Sequence, residues 1–273
     1  MNKKRKIIKL MLILMLSISI YCFIQNTWIQ VENVKIRVRN LPKELVGFKI
    51  AHISDVHLRK NEKNIDTIIK KIKQENVDII LITGDIIDKR AVIENSGLNK
   101  LSKELSQIAP TFAVTGNHEF WSGSVEKWKK ILEENNVKVM DDKVVVHEGI
   151  AIAGLSDNSH YKSDELEDIE DIEDMPMILL AHRPELIEDY ISTSNKIIPH
   201  IIFCGHAHGG QFRIPILNKG IVSPGQGIFP KYTSGLYKFG KSVMVVSRGI
   251  GNSIIPVRIH NRPHLPIVEL LNE

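Results

Sequence analysis

Apolar positions recur along this chain in two rhythms. Asn61 to Asn76 places Ile65, Ile68, Ile69 and Ile72 three and four residues apart with charges between them, the spacing of an amphipathic helix. Ser96 to Ile108 and Ser124 to Asn135 repeat that spacing, the second with Trp128, Ile131 and Leu132 on one side. Val77 to Ile82 is instead apolar at nearly every position, as in a strand covered on both faces. Lys49 to Ser54, Thr111 to Val114, Met177 to Ala181 and His200 to Phe203 also read as strands. Val137 to Met140, Lys143 to His147 and Ile150 to Leu155 follow one another without helices, which predicts a second sheet entered by hairpins. Further on, Glu185 to Ser192 predicts a short helix and Ile214 to Gly235 a loop rich in Pro and Gly. Tyr237 to Val246 predicts a hairpin, and two short strands finish the chain. Strands and helices alternate early and hairpins dominate later. That order predicts an α/β fold with two sheets packed face to face and helices outside.

The N-terminus changes the picture. Leu10 to Ile24 is a run of 15 residues without a charge, and Ile7 to Ile24, with Lys9 free to snorkel, reaches 18. That length is near the lower limit for crossing a bilayer. Lys3, Lys4, Arg5, Lys6 and Lys9 precede the run, which predicts a cytoplasmic N-terminus and a body outside, in a single-pass cell-membrane protein. A cleaved signal peptide is the competing reading, but no small-residue cleavage site follows the run. The expected organisation is a basic tail and anchor over 1–29, a connector or edge strand over 30–48, and a main domain over 49–273. Those five N-terminal cations account for the net charge of +4, since 31 basic residues face 32 acidic ones in the rest. No basic stripe remains for nucleic acid, and none is expected as a partner. Cys22 and Cys204 are placed in the span and at a strand end, so no disulfide is expected. Asp164 to Asp174 holds eight acids in eleven residues, with Leu166, Ile169 and Ile172 interleaved, and reads as a solvated amphipathic helix. A monomer is expected.

Candidate chemistry gathers where the predicted strands end. The run His200 to Phe203 leads into Cys204-Gly205-His206-Ala207-His208-Gly209-Gly210-Gln211, with glycine available for a sharp turn. Asp55 and His57 follow another strand, Asp85 and Asp88 a third, Asn117 and His118 a fourth, and His182 a fifth. In sheets with βαβ connections, ligand sites lie at the carboxyl ends of the strands. The donors are nitrogen and oxygen without thiolate. Several imidazoles disfavour Mg²⁺ or Ca²⁺ and suit manganese, iron, zinc or nickel. The set is too large for one tetrahedral ion and serves two divalent ions bridged by a carboxylate, whose residual positive charge suits an anionic phosphate ester.

Asp-x-His, Gly-Asp-x-x-Asp, Gly-Asn-His-Glu, a later His and Gly-His-x-His, in this order from about Lys49 onward, resemble the calcineurin-like metallophosphoesterase superfamily. Ala181-His182-Arg183-Pro184-Glu185, His206 to Gln211, and Ser247-Arg248-Gly249-Ile250-Gly251 look like its membrane-associated bacterial branch. The resemblance implies a four-layer α-β-β-α sandwich of two mixed sheets. It implies one metal on Asp55, His57 and His208, a second on Asn117, His182 and His206, and Asp85 bridging, with two divalent ions expected and manganese foremost. It assigns His118 to the leaving group as general acid or charge stabiliser, and Asp88 to accept the second ring proton of His118. A metal-bound hydroxide attacking phosphorus in line is the implied chemistry. Ser54, Glu119 and His52 read as support, and Arg183, Gln211 and Arg213 as candidates for substrate contact. His264 stands where this branch often carries an acid. The implied substrate is a phosphomonoester or phosphodiester of an envelope lipid, nucleotide-linked glycolipid or cell-wall component. A protein serine/threonine phosphatase and a non-catalytic metal-binding homologue are the alternatives.

Overall fold

The uninterrupted apolar runs become strands that are buried from end to end. In the computed structural model, which describes residues 3–39, 41–60, 63–158, 172, 175–192, 198–252 and 255–273, two six-stranded mixed sheets pack face to face. The first is built from β1 (Gln30–Val38), β2 (Lys49–Ile53), β3 (Ile79–Thr83), β4 (Thr111–Val114), β5 (Val137–Val139) and β16 (His264–Asn272), in the order β1-β16-β2-β3-β4-β5. The second is built from β6 (Lys143–His147), β7 (Ile150–Gly154), β8 (Met177–Leu180), β9 (Ile201–Cys204), β14 (Gly235–Phe239) and β15 (Ser242–Val246), in the order β14-β15-β9-β8-β7-β6. Two minimal hairpins, β10 (Arg213–Ile214) with β11 (Lys219–Gly220) and β12 (Val222–Ser223) with β13 (Gly227–Ile228), punctuate the Pro- and Gly-rich loop.

Facing side chains of the two sheets fill the centre: Ile50, Ile79, Leu81 and Phe112 from one meet Ile152, Ile178, Leu180 and Phe203 from the other. Helices α2 (Lys63–Glu75), α3 (Leu98–Ser106) and α5 (Val125–Glu134) cover the outer face of the first sheet. Their predicted apolar stripes, Ile65, Ile68, Ile69 and Ile72 on α2 and Trp128 and Leu132 on α5, are buried there. Among the described residues, the outer face of the second sheet is covered by α6 (Ile187–Tyr190) together with Ile172 and Tyr232. The acidic segment Asp164 to Asp174, apart from Ile172, lies outside the described residues.

Two expectations are corrected and one element is added. Val137 to Val139 joins the first sheet beside β4 and does not open the second. The chain ends in one nine-residue strand, β16, threaded between β1 and β2, where two short strands were expected. A short helix, α4 (Asn117–Trp121), opens directly on the Gly-Asn-His-Glu segment. The N-terminal helix α1 (Lys3–Thr27) is long and apolar enough to cross a membrane, and none of its apolar stretch is buried against the body.

Candidate metal centre

Every candidate ligand leaves the carboxyl end of a strand, and the two sheets bring those ends together. Asp55 and His57 follow β2, Asp85 follows β3, Asn117 opens α4 after β4, His182 follows β8, and His206 and His208 follow β9. All seven are buried. Two groups of convergent donor atoms result: Asp55, His57, Asp85 and His208, and Asp85, His182 and His206. Asn117 joins the second group through its Oδ1, 3.2 Å from His182 Nε2.

Donor atoms face one another at distances suited to shared cations. His57 Nε2 and His208 Nε2 stand 3.1 Å apart, and so do His182 Nε2 and His206 Nδ1. Asp85 Oδ2 lies 3.7 Å from His57 Nε2 and 3.4 Å from His182 Nε2. Asp55 Oδ1, 3.4 Å from His208 Nε2, is buried without a hydrogen bond. A buried carboxylate oxygen left unpartnered among ring nitrogens is costly unless a cation completes it. The donor set therefore fits a pair of divalent ions sharing Asp85.

Electrostatics agree. Burial holds His57 down at about 3, and burial likewise holds His206 and His208 well below the usual imidazole range, so these rings are neutral and able to ligate. Burial also raises Asp55 to about 6. Burial opposes the charge on Asp85 too, but His182 beside it holds the carboxyl well below the ordinary range. Reciprocally, His182 overcomes its own burial and is pushed up to about 10 by Asp85.

Neighbouring groups fix these ligands. His182 donates from Nδ1 to the Thr83 carbonyl at 2.7 Å, which turns Nε2 inward. Ser54 Oγ and the His206 N–H both donate to Asp55 Oδ2, at 2.6 and 3.1 Å. The His118 N–H donates to Asp85 Oδ1 at 2.8 Å. Glu119 accepts the N–H groups of Asp85, Ile87 and Gly116 and so ties three segments into one frame. His52 donates to or accepts from Thr83 Oγ1 at 2.8 Å beneath the site.

His118 lies beside His57, with ring centroids 4.4 Å apart. Its Nδ1 accepts the Lys89 N–H at 3.1 Å, so the neutral ring carries its proton on Nε2. This corrects the expected role of Asp88, whose Oδ2 is 3.7 Å from Nδ1 and makes no hydrogen bond to it. Asp88 instead accepts from Arg59 and from both the side chain and the N–H of Arg90, each at 3.0 Å. It shapes the turn that aims the Lys89 N–H at His118. A third cluster of donors, His57, Asp88 and His118, is a poorer cation site for the same reason: two guanidinium groups already neutralise its carboxylate.

Two candidates for substrate contact are braces. Gln211 donates to the Ile255 and Val257 carbonyls, and buried Arg213 donates to Gly209, Thr233 and Asn218. Arg183 is clamped by Asp157 through two bonds of 2.7 Å and stays partly exposed next to His182. Two further residues near the site were not anticipated from the motifs: Glu185, 3.7 Å from the outer nitrogen of His206, and Trp121, an exposed ring 5.2 Å from His118. Glu185 sat in plain view within the His-Arg-Pro-Glu segment. His264 is paired with Glu32 at 2.9 Å, so an acid is present after all, supplied by β1.

Buried groups of metal-competent side chains at the strand ends of a two-sheet α/β sandwich are the mark of a metal-dependent hydrolase. The family model for calcineurin-like phosphoesterases matches residues 48–210, and the chain belongs to that family. A metallophosphoesterase of Campylobacter jejuni is 30% identical over 90% of this chain and 65% of its own. The metallophosphoesterase YkuE of Bacillus subtilis is 25% identical, covering 91% of this chain and 87% of its own. A zebrafish (Danio rerio) transmembrane protein with a metallophosphoesterase domain is 27% identical over 88% of this chain and 57% of its own. The chain thus spans less than two thirds of the zebrafish and Campylobacter proteins. The transmembrane relatives and α1 together suggest a membrane protein.

Proposed function

We propose that this chain hydrolyses phosphate esters at a dinuclear centre. Asp55, His57 and His208 would hold one divalent ion and Asn117, His182 and His206 the other, with Asp85 serving both. The observation that carries this reading is the place of Asp85, whose Oδ2 faces His57 Nε2 and His182 Nε2 at 3.7 and 3.4 Å, one from each ligand group. Manganese is the expected ion, and iron, zinc or nickel would suit the same donors. When bound, such a pair supplies a water-derived nucleophile at neutral pH and positive charge for the phosphoryl oxygens.

The chain supplies the rest. His118 presents Nε2–H toward the leaving oxygen and stabilises the charge that develops there. The Lys89 N–H on Nδ1 favours that neutral donor over an imidazolium acid, because a protonated ring would lose the bond. Asp88 positions His118 through the turn it holds. Arg183 at the rim offers a guanidinium to an anionic substrate, and Trp121 an apolar surface. α1 crosses the membrane once, its basic end in the cytoplasm and the body outside. The substrate class is a phosphomonoester or phosphodiester of the cell envelope: a lipid, a nucleotide-linked glycolipid or a wall component.

The test is a panel of bis-aryl and mono-aryl phosphates and a nucleotide-diphosphate lipid, given to the Mn²⁺-loaded protein. Asp85→Asn and His206→Ala are expected to abolish turnover and lower metal content. Full turnover by Asp85→Asn with one ion per chain would contradict the shared-carboxylate arrangement.

A further inference from the structure

The strand directions settle which end of the sandwich meets α1. β1 runs parallel to β16, β16 antiparallel to β2, and β2 parallel to β3 and β4. The start of β1 therefore lies at the same end of the sheet as the carboxyl ends that deliver Asp55, Asp85 and Asn117. Gln30 pairs with His264, and continuing the β16–β2 register brings His264 level with Ser54. Gln30 thus stands two strands from Ser54, roughly 10 Å away. α1 ends at Thr27, just before Gln30.

The end of α1 is also fastened to the body. The Tyr21 hydroxyl accepts the His260 N–H at 3.0 Å, Gln25 Oε1 the Asn261 N–H at 2.9 Å, and Asn26 Oδ1 the Arg258 N–H at 3.0 Å. Trp28 is exposed, with the Arg262 guanidinium 5.6 Å from its ring, a pairing suited to a membrane interface. Beside this junction Ile255, Val257 and Ile259 alternate outward around fully buried Arg258.

Two exposed apolar pairs on the short hairpins extend this apolar face. Ile216 and Leu217 form the turn of β10–β11, and Ile228 and Phe229 lie at the open end of β12–β13, away from its turn, with 61–102% of each exposed. Ile216 and Phe229 hold left-handed backbone, at φ 73° and 53°, which a β-branched or bulky residue rarely adopts. The hairpins are tied both to the membrane junction and to the metal centre. The Arg213 N–H donates to the Ile259 carbonyl, and the Ile221 N–H to the carbonyl of Gly210, two residues past His208. The turn at Gly225 packs on Glu185, which faces His206. Large apolar side chains left in water beside a membrane-spanning helix match a bilayer-contact face.

We propose that these two apolar pairs enter the interfacial layer of the bilayer that α1 crosses, so that the metal centre opens at the headgroups and takes phosphate esters carried by membrane amphiphiles. The surface rests on the reading of α1 as a membrane span, and the substrate class rests additionally on the phosphoesterase reading.

The test uses the full chain in lipid nanodiscs. Cys22→Ser removes the accessible thiol, while Cys204 is fully buried. Spin labels at Ile216→Cys and Phe229→Cys are expected to be relaxed more by oxygen than by a water-soluble nickel chelate. A label at Val146→Cys, exposed on β6, is expected to show the reverse. Nickel-dominated relaxation at both positions would overturn the proposal, whatever the enzyme hydrolyses. In a second arm, serine replaces Ile216, Leu217, Ile228 and Phe229 together. Turnover of a soluble aryl phosphate is expected to stay within about twofold, while turnover of a phosphate ester embedded in vesicles falls about tenfold or more. Equal turnover of the embedded ester by variant and parent would overturn the route to substrate. A parent enzyme inactive on every ester would refute the phosphoesterase reading and leave the label result to decide the surface.

Discussion

Asp55, His57, Asp85, His206 and His208 share a backbone habit that no motif spells out: each holds φ between 46° and 61°. Left-handed backbone costs a non-glycine residue about 1–3 kcal/mol, so it persists only where surroundings enforce it. Here the Asp55 N–H donates to Gly84 and the His57 N–H to Asp85, which turns both side chains back over the strand ends. Glycine is required nearby for a different reason, room. A Cβ on Gly205 would fall inside contact distance of Ser54 Oγ and Asp55 Oδ2. Gly205→Ala is therefore expected to destabilise the fold by about 1–3 kcal/mol and to lower metal retention, read by urea unfolding and metal analysis. Unchanged values for both would show that the site has slack. His118→Ala is expected to keep both metals and lose rate, most with poor leaving groups. Metal loss equal to that of His206→Ala would instead place His118 among the ligands.

At the scale of elements, strands with two covered faces were legible because continuous apolar runs have few other uses. Thr111–Val114 and Lys143–His147 appear with the boundaries expected. The residues that gather at the candidate site were legible because Asp, Asn and His at strand ends carry chemistry in their identity. What escaped was pairing between distant segments. Nothing local in His264–Asn272 says that it inserts between β1 and β2, since that depends on which sheet edge remains open. Likewise the role of Asn261 exists only in three dimensions. Its amide donates to the His208 carbonyl at 2.7 Å and to the Gln211 carbonyl at 3.1 Å, while its own N–H meets Gln25 of α1. Asn261→Leu removes both bonds, leaving the Gln211 carbonyl without this donor and the His208 carbonyl with only the Gln211 N–H. A loss of about 1–3 kcal/mol in stability is expected, with faster release of metal to a chelator. Metal release at the parent rate would show that the His208 loop holds without this brace.

At the scale of the whole molecule, acid is expected to loosen the end that carries α1. His264 donates from Nε2 to Glu32 and accepts the Arg248 N–H on Nδ1, so both nitrogens are satisfied only in the neutral ring. Burial holds it down at about 4, against 6.5 for an unperturbed imidazole. Between pH 6.5 and 4 the unfolded chain binds a proton there that the folded chain refuses, so stability falls as pH falls through this window. Glu32, held at about 2 chiefly by its hydrogen bond to His264, adds the same sign at lower pH, from its ordinary 4.5 downward. His264→Gln is expected to remove about one proton from the slope of unfolding free energy between pH 6.5 and 4. An unaltered slope would mean that other groups carry the acid response.

The proposed centre draws seven buried side chains around two positions that share Asp85, and a direct view of those positions is the sharpest test. Crystals of the Mn²⁺-loaded protein, recorded near the manganese absorption edge, are expected to show two anomalous peaks about 3.5–4 Å apart, one on each side of Asp85 Oδ2. A single peak, or a peak among His57, Asp88 and His118, would contradict the sharing of Asp85 between two ions.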